Sequence, residues 1–100
     1  MGLDASLEDE FGEELDSFAD EDGRLAAAWP AVNPAYPLLR HVDAEGTTLF
    51  NRRQLAAALP EFEAFVLAAP PELKAAAVRL LRFARKGAAE PHLYLRFLGD

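Results

Sequence analysis

The first 23 residues carry ten carboxylates (Asp4, Glu8, Asp9, Glu10, Glu13, Glu14, Asp16, Asp20, Glu21 and Asp22) and no cation, yet large apolar side chains are interspersed among them. Like charges this dense destabilise an isolated helix, so such a segment orders only where apolar contact holds one side of it. Leu7, Phe11, Leu15 and Phe18 recur at spacings of four, four and three, which predicts an amphipathic helix with a narrow apolar stripe. Ser6 with Asp9 three residues on supplies a capping pair, the first-turn carboxylates suit the positive helix end, and Gly23 closes the helix in a left-handed cap. Leu25 and Trp29 continue the rhythm, so one longer helix to about Trp29, bent at Gly23, competes with this arrangement. With the stripe packed on the body, the acidic face is either simply solvated or shaped for a basic partner.

The whole chain has a net charge of −7, so residues 24–100 sum to +3: an acidic arm (1–23) joined to a mildly basic body. One hundred residues make one core and leave no room for a cleft between two lobes. Twenty Ala and sixteen Leu against four Val and no Ile favour helix over sheet, and close Ala packing leaves little space for a ligand cavity.

Three prolines in Pro30–Pro37 force an extended crossing, and Pro37 then opens a short turn through Leu38, Leu39 and Val42 that ends at Asp43-Ala44-Glu45-Gly46. Leu55, Leu59, Phe62, Val66 and Ala69 keep helical spacing across Pro60, implying a kink or two abutting helices. Pro70-Pro71 restarts the chain into a helix with Leu73, Ala77, Leu80 and Ala84 buried and Gly87 closing it. Thr47-Thr48-Leu49-Phe50 is β-favouring, and Leu93, Leu95 and Phe97 alternate in the C-terminal run. The expected fold is therefore mainly α, a small helical domain (24–100) with a minor two-stranded antiparallel element pairing 47–50 with 92–98.

Phe50-Asn51-Arg52-Arg53-Gln54-Leu55 contains a complete helix start: Asn51 as N-cap, Gln54 reaching back, and Phe50 with Leu55 as a hydrophobic staple. Arg52 and Arg53 break the local rule by placing two cations against the positive helix end, at a cost of about 0.3–1 kcal/mol each. Either they pair with carboxylates at Asp43, Glu45, the arm or the chain terminus, or Asn51, Arg52 and Arg53 form an anion site for a phosphate or a partner's carboxylate. Arg79, Arg82 and Lys86 share one helix face and could touch a nucleic-acid backbone, but they also suit the negative end of their own helix. So few cations on a chain of net −7 argue against autonomous nucleic-acid binding.

Catalysis is not expected. There is no cysteine, both serines (Ser6, Ser17) lie in the acidic arm, and Gly46 and Gly87 are isolated rather than part of a phosphate loop. His41 beside Asp43 and Glu45, and His92 after Pro91, make no metal set, so neither metal nor cofactor is expected. No apolar run approaches a membrane span, and Met1-Gly2-Leu3-Asp4 lacks the basic start of a secretory signal, so a cytoplasmic location is expected.

Tyr36-Pro37-Leu38-Leu39-Arg40-His41-Val42-Asp43, Phe50-Asn51-Arg52 with Gln54, and Leu95-Arg96-Phe97-Leu98-Gly99-Asp100 resemble a group of small bacterial proteins without an assigned activity, over about residues 33–100. In size and acidity the chain is also similar to bacterial immunity proteins and antitoxins, which implies a module that neutralises a basic toxin. The function expected is non-catalytic binding of a basic protein through the acidic helix, by the carboxylates of Glu8, Asp9, Glu10, Glu13, Glu14, Asp16, Asp20, Glu21 and Asp22. Alternatives are a homodimer paired through the Leu7–Phe18 stripe, and anion or nucleic-acid-backbone binding through Arg52/Arg53 and Arg79/Arg82/Lys86.

Overall fold

The computed structural model describes residues 2–100, and its first element is a strand. In β1 (Leu3–Asp9), Leu3, Ala5 and Leu7 point inward at strict two-residue spacing. Asp9-Glu10-Phe11-Gly12 then turns the chain: the Gly12 N–H donates to the Asp9 carbonyl at 3.1 Å, and Gly12 takes φ 80°. A type I turn followed by a left-handed glycine is a frequent hairpin connection. The chain returns as β2 (Glu14–Phe18), antiparallel to β1, with an irregularity in register between Leu7 and Glu8.

This overturns the helical arm. Residues 2–23 form no helix, and neither the arm ending at Gly23 nor the longer helix to Trp29 exists among the described residues. Gly23 is left-handed, φ 73°, but it opens the short α1 (Arg24–Ala28) instead of closing a preceding helix. The 7–18 stripe is dispersed: Leu7 is in the core, Phe11 at the turn, Leu15 exposed and Phe18 half-buried. A homodimer paired through that stripe loses its structural basis.

The proline-rich segment reaches a single 3-10 turn at Leu39–His41. Trp29 donates its indole N–H to the Leu39 carbonyl at 2.7 Å, and the buried Glu61 carboxylate accepts the Leu38 and Leu39 N–H groups at 2.9 Å each. Next come β3 (Thr47–Phe50), α2 (Arg52–Ala68), α3 (Pro71–Ala89) and β4 (Leu93–Gly99). Asn51 and Gln54 complete the capping box, and α2 continues as one helix through Pro60.

The four strands form one antiparallel sheet in the order β2-β1-β4-β3. With 23% strand and 44% helix the fold is α+β, not mainly α, and the 47–50 pairing with the C-terminal strand is one edge of a larger sheet. β4 has two partners: Leu95 lies opposite both Leu7 and Phe50, and Phe97 opposite both Ala5 and Thr48. Helices α2 and α3 cover the inner face, where Phe62, Leu55, Leu80, Leu95 and Phe97 are fully buried. Trp29 stacks at a tilt on Phe65 and Phe97, with centroids 5.4 and 5.2 Å apart.

Gly87 does not terminate α3. It is a buried helical position against which Leu55 of α2 packs so closely that a Cβ would collide with the Leu55 Cδ1. Gly87→Ala gains about 1 kcal/mol of helix propensity but overpacks a site that costs about 1–3 kcal/mol. Because Leu55 is fully buried and has nowhere to retreat, the clash wins. Thermal unfolding should show Gly87→Ala melting lower than wild type, by about 5 °C for each net kcal/mol lost.

Candidate functional site

The hairpin formed by β1 and β2 distributes the ten carboxylates unequally. Three are structural. Asp20, buried after β2, accepts the Leu3 N–H at 3.0 Å, the Leu25 N–H at 3.0 Å and the Ala26 N–H at 2.9 Å, tying the start of β1 to the first turn of α1. Asp4 accepts the Asp20 N–H at 2.7 Å. Asp9 holds the turn by accepting the Phe11 and Glu13 N–H groups at 2.9 Å each. These three are framework groups, and Asp20 is removed from the partner-binding set by its burial.

Four others are paired. Arg96 Nε donates to both oxygens of Glu8, at 3.1 and 3.0 Å, and Ser6 Oγ donates to Glu8 as well. Asp16 meets Arg79 at 3.1 Å, Glu10 lies 3.4 Å from His92 Nδ1, and Asp22 meets Arg24 at 3.1 Å. Glu13, Glu14 and Glu21 are exposed and enter no ion pair among the described residues. Outside the framework, the carboxylates left without an ion pair among the described residues are therefore Glu13 and Glu14 on the hairpin and Glu21 beyond it, with Glu10 exposed beside His92 at the hairpin end.

At that end stands Phe11, 86% exposed. Helical spacing had placed it on a packed stripe; the structure puts it at the tip of a turn braced by Asp9 and Gly12. The Asp9-to-Gly12 turn signature was the signal that could have found it. A second set absent from the sequence-based sites is the outer sheet face, with Leu49, Tyr94, Arg96 and Leu98 on the alternate positions of β3 and β4.

The arginines that break the helix-start rule resolve differently from either expectation. Arg52 Nε donates to the Ala88 carbonyl at 3.4 Å, so the cation at the positive end of α2 sits against the negative end of the antiparallel α3. Asn51 is occupied with the Gln54 N–H at 2.9 Å, and Arg53 is exposed. On α3, Arg79 pairs with Asp16 and lies over Phe83, Lys86 lies 3.7 Å from Glu90, and Arg82 is exposed. The basic stripe thus braces β2 and its own helix end. His41 is exposed in the 3-10 turn, and His92 takes φ 65° before β4. Among the described residues no group of three His, Asp or Glu side chains has metal-holding geometry, and no helix is long and apolar enough to cross a membrane.

No protein-family model, curated protein or solved structure matches the chain.

Two predictions follow from the carboxylate geometry. Asp20→Ala leaves three amides without their acceptor, two of them buried, and should lower the unfolding free energy by about 3 kcal/mol, read from urea midpoints. Asp16 is held below the ordinary carboxylate range, first by the Ser17 N–H and then by the Arg79 guanidinium. Its contribution is complete above the unfolded value near 3.8 and is lost as pH falls through the lower folded value. The melting-temperature difference between wild type and Asp16→Asn should therefore be constant near neutrality and close below about pH 4.

Proposed function

We propose that the chain is a non-catalytic binding module, of the immunity or antitoxin kind, whose acidic hairpin engages a basic protein. The observation that carries this is Phe11, an aromatic side chain left 86% exposed at the tip of a hydrogen-bonded turn whose segment also carries the exposed carboxylates of Glu10, Glu13 and Glu14. Exposing a Phe costs about 1.5–3 kcal/mol relative to burial, and an aromatic anchor with a polar rim is a common interface arrangement. The carboxylates accelerate encounter with a cationic surface and reject an acidic one. The aromatic supplies what charge alone does not, a term that persists when salt screens the rim.

The chemistry around the hairpin supports binding rather than turnover. The Ser6 hydroxyl is engaged by Glu8, and His41 and His92 stand on separate segments. The acidic hairpin replaces the acidic helix as the contact element, with Phe11, Glu10, Glu13 and Glu14 as the leading residues.

Immobilised full-length chain should retain basic proteins from a cell extract at about 50 mM salt and release them by about 500 mM. Phe11→Ala and the pair Glu13→Lys with Glu14→Lys lie on the surface and should melt within a few degrees of wild type while losing that retention. Identical retention by wild type and both variants would sink the assignment.

A further inference from the structure

The sheet has two faces, and the helices cover only one. On the outer face, alternate residues of β3 and β4 present Leu49, Tyr94 and Leu98, with Leu49 and Leu98 each 46% exposed, and between Tyr94 and Leu98 stands Arg96, which reaches toward Glu8 of β1. Across the sheet, β1 and β2 present Asp4 and Glu14 on that face, together with Glu8, which is already met by Arg96. Between the halves, Ser6 and the Glu8–Arg96 pair, in which one guanidinium N–H is shared by both carboxylate oxygens, make a locally neutral centre. The face is thus divided along the strand direction into an apolar half and an acidic half. Where they meet near the hairpin turn, Glu10, Leu49 and Tyr94 border a concavity of about 280 Å³.

We infer that this open sheet face seats a cationic amphipathic helix of the partner, lying along β1 and β4 with its apolar stripe on Leu49, Tyr94 and Leu98 and its basic stripe toward Glu10 and Glu14. The inference rests on the hairpin being the element that meets a basic protein, and it specifies what that protein presents. A helix about 10 Å wide spans two strands at about 4.8 Å spacing, and helix on sheet is a stable layer arrangement. A second copy of this chain is the poorer occupant: a two-fold axis across the strands sets the acidic half on itself, and one along the strands sets it on the apolar half, so neither pairing is complementary. An acidic helix is repelled for the same reason.

The test uses the full chain and two synthetic helical peptides of about 16 residues, the length that matches a seven-residue strand. Both have the same Leu and Lys content; in one the leucines form a single stripe, and in the other they are distributed around the helix. By calorimetry the striped peptide should bind about tenfold more tightly than its isomer, with amide shifts confined to the strands and the hairpin turn. Leu49→Asn with Leu98→Asn should remove that preference, whereas Leu67→Asn, an exposed apolar position on α2 (83%), should not.

Equal affinity for the two peptides, shifts centred on α2 and α3, or indifference to the Leu49/Leu98 pair would each overturn the inference. If these fail while retention of basic proteins still depends on Phe11, the sheet-face assignment falls and the hairpin assignment stands. If the striped peptide binds here while Phe11→Ala retains every partner, the hairpin assignment is the one at fault.

Discussion

The antiparallel pairing of β1 with β4, residue for residue from Leu3 opposite Gly99 to Asp9 opposite Leu93, joins the two ends of the chain at the centre of the sheet. The rest of the architecture is hung on that junction. Its inner surface, Leu3, Ala5 and Leu7 beside Leu93, Leu95 and Phe97, is the floor on which α2 and α3 rest. Its flanks receive β2 and β3, neither of which pairs with the other. Contacts between sequence-distant strands incur the largest loop-closure entropy, and here the pairing of β1 with β4 is the most distant in the sheet.

The long irregular stretch from Ala19 to Gly46 has little regular backbone pairing, and buried carboxylates supply much of what it lacks. Asp20 gathers amides from β1 and α1, and Glu61 gathers two from the approach to the 3-10 turn. Each ion is compensated by several N–H donors, the condition under which a buried charge is tolerated. The Trp29 indole adds a further tie to Leu39 while its ring fills the space between Phe65 and Phe97. Gly99 closes the far end, its N–H donating to the Gly46 carbonyl at 2.7 Å.

What was legible in the sequence was what local chemistry decides. The Asn51–Gln54 box, the Pro71 start of α3, its buried Leu73, Ala77, Leu80 and Ala84, and the inward alternation of Leu93, Leu95 and Phe97 all depend on neighbours within a few residues. The hairpin was hidden because two periods overlap in it. Leu7, Phe11, Leu15 and Phe18 fall at helical spacing only because a turn and a register shift separate them, while the true strand signal, Leu3-Ala5-Leu7, is short and includes an Ala. The role of Gly87 depends on Leu55 in the preceding helix, and that of Arg52 on the far end of α3; neither leaves a local trace. For the candidate site, the acidity was visible but its division into framework, paired and outward carboxylates was not, since that division is made by Arg96, Arg79 and backbone amides of other elements.

The geometry at Asp16 has a bearing on how copies of this chain coexist at high concentration. β2 is one of the sheet's two outer strands, and an outer strand ordinarily offers its main chain to any neighbouring polypeptide. Here Asp16 takes the Ser17 N–H into its own carboxylate at 2.8 Å, the strand is short, and its pairing is distorted beside Leu15. A copy approaching this edge would find a donor already occupied and carboxylates matching its own, which opposes strand pairing there. The same aspartate that braces the hairpin against α3 therefore also guards one open edge of the sheet.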